Sequence, residues 1–116
     1  MKFLLALAFA VLSATSGYSR TLITPSFVVV IINNEPEGVV SSDNIFYVGV
    51  SKKSGDSIKI KGQTVHTTDA DGVTPSKFLG FMFKKDDVTY FVSEEGSLRV
   101  TKGKKVIVNE SGEWVD

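Results

Sequence analysis

The sequence has no cysteine. That absence excludes disulfides, thiolate nucleophiles, thiolate metal sites and lipid attachment through an N-terminal cysteine. Small secreted animal domains commonly depend on disulfides. An exported chain of this size without them reads as bacterial, either periplasmic or released. An excess of one charge is also missing, since 13 basic residues stand against 13 acidic ones. Nucleic acids and anionic membrane surfaces select basic footprints, so neither is expected as a partner. Long apolar runs are lacking too. Phe3 to Leu12 is apolar throughout, but spanning a hydrocarbon core takes roughly 20 such residues, so no stable membrane anchor is expected.

What the N-terminus does have is the layout of an export signal. Met1-Lys2 supplies a positive start, Phe3 to Leu12 the apolar stretch, and small residues follow at Ala14-Thr15-Ser16 and Gly17-Tyr18-Ser19. Cleavage after Ser16 or Ser19 fits the small-residue rule, and the cut after Ser19 is the preferred reading. The chain then divides into a signal peptide, 1–19, and a single domain, 20–116. Removing the signal takes Lys2 and no acid, so the thirteen bases less one face thirteen acids, a net charge of −1.

The remainder predicts an all-β fold. Short runs of Val, Ile, Phe, Tyr and Thr alternate with Gly, Asp, Asn, Ser and Lys clusters, and no window shows helical periodicity. A first strand is expected over Leu22 to Ile32, broken early by Pro25. Its core, Phe27 to Ile32, is apolar on both faces, as in a strand covered on two sides. Ile45 to Ser51 and Ser57 to Val65 read as a hairpin. Ile58 and Ile60 alternate there with Lys59 and Lys61, so one face is buried and the other wet. Further strands follow to Trp114-Val115, with turns at Asp86, Gly96, Gly103 and Gly112. Such regular pitch predicts an antiparallel meander that closes into a small barrel or sandwich. The expected core is Val28, Val30, Ile32, Phe46, Val48, Ile58, Ile60, Leu79, Phe81, Phe83, Tyr90, Val100, Val106 and Val108.

Few residues invite chemistry. His66, the single histidine, stands near Asp69 and Asp71, but no nucleophile elbow or oxyanion loop completes a catalytic set. Asp69-Ala70-Asp71-Gly72 resembles part of a calcium loop. It lacks the acid that should close such a loop several residues on, and the same residues make a good turn. No catalytic residue, metal site or cofactor is therefore assigned. Lysines gather at Lys52, Lys53, Lys59 and Lys61, and again at Lys102, Lys104 and Lys105. If the two hairpins are neighbours they form one basic patch; otherwise they keep turns and sheet edges soluble. Gly80, inside an aromatic strand, marks a bulge or a close approach by another backbone, either a partner's or that of a barrel corner.

These features favour an exported, non-enzymatic binding module that recognises another envelope or secreted protein, such as an inhibitor or immunity-type factor. His66, Asp69, Asp71, Lys53, Lys59, Lys61 and Lys104 are its candidate contacts. Two alternatives stand beside it. One is a structural subunit assembling by strand addition through Leu22–Ile32. The other is a carrier of a small apolar ligand, although so short a chain is expected to leave little room inside a barrel.

Overall fold

Alternating β-branched and aromatic residues, punctuated by turn formers, produce strands and no helix among the residues described. The computed structural model describes residues 18–35 and 43–115. In chain order the strands are β1 (Tyr18–Ile23), β2 (Phe27–Asn33), β3 (Ile45–Ser51), β4 (Ser57–Thr68), β5 (Pro75–Lys85), β6 (Val88–Ser93), β7 (Ser97–Lys102), β8 (Lys105–Ser111) and β9 (Glu113–Val115). All pairings are antiparallel, and the sheet order is β8-β7-β6-β5-β4-β3-β2-β1-β9.

The sheet curls into a nearly closed barrel, and the C-terminal stretch forms its seam. β8 pairs with β7 as far as Ser97↔Ser111. After one residue, Gly112, the same stretch pairs with β1 at Ile23↔Glu113, Leu22↔Trp114 and Thr21↔Val115. Gly112 is therefore not a turn but the point where one strand changes partner. Its amide donates to the Gly96 carbonyl at 2.8 Å. Glu110 adds a tie across the seam, accepting from the Ser26 amide at 3.0 Å.

The predicted first strand is two strands. Thr24-Pro25-Ser26 turns the chain, and the Thr24 hydroxyl accepts from the Phe27 amide at 3.1 Å. β1 also begins earlier than expected, because Tyr18 and Ser19 pair with Asn33 and Ile32. The Tyr18 hydroxyl accepts from Asn33 Nδ2 at 3.0 Å. The rest of the expected signal peptide lies outside the described residues. Of the two cuts named above, the one after Ser16 leaves β1 whole.

The barrel interior is filled by Leu22, Val29, Ile31, Ile45, Tyr47, Ile60, Phe81, Phe83, Val92, Leu98 and Val100. Ile60, Phe81, Phe83 and Val100 are where the sequence pattern put them, and Ile58, Tyr90 and Val108 pack against this cluster. On β2 and β3 the expectation is corrected. Val28, Val30, Ile32, Phe46 and Val48 lie on the outer face, half-buried, while Val29, Ile31, Ile45 and Tyr47 point inward.

The cause is register. In an antiparallel pair, residues directly opposite share a face. β4 marks its own faces with Lys59 outside and Ile60 inside. Val48 opposes Lys59 and Tyr47 opposes Ile60; Val30 in turn opposes Val48. The polar mark on β4 thus turns the odd positions of β2 and β3 inward. Two bulges correct the other misplacements. Leu79 is the extra residue between the pairs Val65↔Gly80 and His66↔Phe78, and it is exposed. Ile107 is skipped between Val100↔Val108 and Thr101↔Val106, which leaves Val106 and Ile107 exposed.

Candidate functional site

The turns of a meander fall alternately at its two ends. The β3–β4, β5–β6 and β7–β8 turns share one end, here called the mouth. The β4–β5 and β6–β7 turns share the other.

The expected contact residues do not gather in one place. His66, Asp69 and Asp71 belong to the β4–β5 end, far from the mouth. Lys53 and Lys104 sit on two different turns at the mouth. Lys59 and Lys61 project from the outer face of β4, where the Lys59 ammonium lies 4.8 Å from the centre of the Phe46 ring.

Local chemistry accounts for the β4–β5 residues. The His66 ring packs against Phe78, centroids 5.3 Å apart, and the histidine makes no hydrogen bond to Asp69 or Asp71 among the described residues. Asp71 closes its own turn. Its carboxylate accepts from the Thr74 hydroxyl at 2.6 Å and from the Thr74 and Val73 amides at 2.9 Å each. These donors, led by the Thr74 hydroxyl, lower its pKa from the usual 3.8 to about 2. Because the folded pKa is the lower one, the stabilisation is full above the ordinary value and lost as pH falls through the folded one. Acidification from pH 5 to pH 2 is therefore expected to reduce amide-exchange protection at Val73 and Thr74, relative to intrinsic rates, while Asp71→Asn shows no such step. An equal step in the variant would assign the effect to another group.

The opposite end of the barrel holds a cavity. A cavity of ≈ 470 Å³ lies at the mouth, lined from β2, β3, β4, β6, β7 and β8. Phe27, Ile58, Val88, Val100 and Val108 give it apolar walls, while Asp56 and Lys102 reach its rim. Two tyrosines shape the interior. Tyr47 is almost fully buried and packs 5.4 Å from Phe83 and 5.1 Å from Tyr90, measured between ring centroids.

Gly49 is the residue that makes this arrangement fit. Positions 47 and 49 share a face of β3. A side chain at 49 would collide with the Tyr47 ring, whose hydroxyl end lies over the glycine. The glycine therefore lets Tyr47 lean along the strand toward the mouth. Neither phenol has a hydrogen-bond partner among the described residues, yet no buried side-chain oxygen or nitrogen is unsatisfied there. The Tyr47 hydroxyl accordingly keeps some access to the cavity. Burial, reinforced by the neighbouring Tyr90, pushes the Tyr47 pKa up, and burial raises that of Tyr90 as well. Both phenols are thus neutral and able to donate. The room lies at the half-open mouth, while the interior itself is filled by the core cluster.

At the other end Trp114 covers part of the core. The Trp114 indole donates to the Glu94 carbonyl at 2.8 Å, packs against the core, and carries the Arg20 guanidinium 4.0 Å from its ring centre. The β3–β4 and β7–β8 hairpins are not neighbours in the sheet, since β5 and β6 lie between them; of their lysines, only Lys102 at the end of β7 lines the cavity. Leu22–Ile32, in contrast, is a hairpin inside the sheet, with β1 held between β9 and β2 and β2 between β1 and β3. Strand addition through it would require the sheet to open.

No protein-family model, curated protein or solved structure matches this chain.

Proposed function

We propose that this protein is an exported, non-enzymatic binder of a small, largely apolar molecule held in the mouth of the barrel. One observation carries the reading. A cavity of ≈ 470 Å³ with apolar walls contains two neutral phenols that are unpartnered among the described residues. Small-ligand sites typically measure about 300–1,000 Å³ and combine apolar walls with a few convergent polar groups.

Decanol serves as a neutral test ligand. Titrating it should shift the backbone amide signals of Tyr47, Gly49 and Tyr90, and leave those of the β4–β5 turn in place. Val88→Trp fills the mouth from a half-buried position, so it should weaken decanol binding at least about tenfold with little change in melting temperature. Shifts scattered over the surface, or binding untouched by Val88→Trp, would remove the cavity as the site.

Recognition of another envelope or secreted protein is the second reading, and a separate observation favours it. Val28, Val30 and Ile32 on β2 lie beside Val50, Val48 and Phe46 on β3, forming an apolar strip on the outer face of the barrel. The strip is half-buried rather than fully exposed, and contiguous apolar surface that solvent still reaches is a common mark of protein contact. A partner captured by the wild-type chain and lost with Ile32→Asp would support this reading; retention by that variant would count against it.

A further inference from the structure

We infer that the ligand is an anionic amphiphile, with its apolar body among Phe27, Ile58, Val100 and Val108 and its acid group at Lys102. This deepens the cavity reading and rests on it.

The walls call for an apolar body, and the rim decides the charge of the head. Lys102 lines the cavity, is exposed, and pairs with no acid among the described residues. Its surroundings are positive. The β3–β4 turn carries Lys52 and Lys53 with Asp56, and the β7–β8 turn adds Lys104 and Lys105 without an acid. Five lysines on these turns and the strand ends beside them thus stand against Asp56 and against Glu110, which lies close enough to Lys52 to be stabilised by it, so the balance there stays positive. The third turn at this end, between Lys85 and Val88, holds Asp86 and Asp87, which offset its own lysines and add no net attraction for an anion.

Depth is also consistent with a head at the rim. Lys102 ends β7 and Ser57 begins β4, whereas Val100 and Ile60 sit two or more residues further in and are buried. Tyr47 leans over Gly49 toward the same opening, so its hydroxyl is a neutral donor on the head side of the cavity. A carboxylate or phosphate there would accept hydrogen bonds, whereas a cationic head would face an ammonium and two donors. A purely apolar molecule would leave the phenols and Lys102 without new partners. Low-dielectric walls beside the rim strengthen the attraction relative to open water.

The test compares three molecules with the same ten-carbon tail: decanoate, decanol and decyltrimethylammonium, each by calorimetry below its micelle-forming concentration. Decanoate should bind about five- to tenfold more tightly than decanol, and the ammonium compound more weakly than either. Lys102→Gln should bring decanoate to the level of decanol, while Lys59→Gln, on the outer face of β4, should keep the preference. Raising the salt concentration should narrow the gap by weakening decanoate selectively. Equal binding of decanoate and decanol, a preference that survives Lys102→Gln, or preference for the ammonium would each overturn the anionic assignment while leaving the cavity reading intact. Failure of all three to bind would overturn both.

Discussion

Replacing Ile31 with aspartate is expected to abolish folding, while the same change at Ile32 leaves a domain that still unfolds cooperatively. Ile31 is 2% exposed inside the barrel, and Ile32 lies half-buried on the outer face. The inner substitution forfeits about 1.5–3 kcal/mol of apolar burial. It also places a carboxylate in a water-poor interior at an effective cost of several kcal/mol. Total stability for a domain of this kind is about 5–15 kcal/mol, so the inner variant has little left. The outer variant keeps its charge in water and loses about 1 kcal/mol, mostly through the poor fit of aspartate in a strand. Urea titrations followed by far-ultraviolet circular dichroism distinguish the two. A folded Ile31→Asp beside an unfolded Ile32→Asp would mean that the register of β2 is one residue out.

The second large effect belongs to Gly80. Its φ of 151° is one that side-chain-bearing residues rarely adopt, and a methyl group there would drive into the Val92 carbonyl of β6. Backbone strain of about 1–3 kcal/mol and overpacking of similar size combine in Gly80→Ala. The expected loss is about 2–4 kcal/mol, or a fall in Tm of at least about 10 °C. Gly103→Ala is the control. Its φ of 60° is also left-handed, but nothing lies within 4 Å of the added carbon, and the expected cost is only about 1–2 kcal/mol. Equal losses in both variants would show that β6 yields, and that the close approach does not constrain the bulge.

Much of the fold was legible because turns announce themselves. Asp86, Gly96 and Gly103, read as turn centres, all adopt positive φ, and the bulge expected at Gly80 is present. β4 displayed its faces through alternating lysine and isoleucine. β2 and β3 did not, since apolar residues occupy both of their faces and no polar residue says which is wet. Only pairing with β4 carries that information across the sheet, and pairing is not visible in a strand read alone.

Tyr18 to Arg20 were hidden for a different reason, because their small and polar residues also fit the end of an export signal. The cavity was hidden by distribution. Six strands line it, each contributing a few ordinary residues, and no local spacing brings them together. The nearest thing to a signal was Gly49, a glycine two positions after a tyrosine in an otherwise apolar strand. In the sequence Lys102 is only one member of a lysine cluster. Its value lies in its position at the rim, which depends on where β7 ends.

The seam at Gly112 has a kinetic consequence. Every strand pairing except one joins neighbours in the sequence, so the hairpins from β1 to β8 can form over short loops. The contact of Thr21–Ile23 with Glu113–Val115 alone spans nearly the whole chain. Loop-closure entropy makes such non-local contacts slow to form. The curled sheet is therefore expected to assemble first and the ring to close last. Trp114, which meets the Arg20 guanidinium of β1 only on closure, reports that final step as the sole tryptophan in the chain.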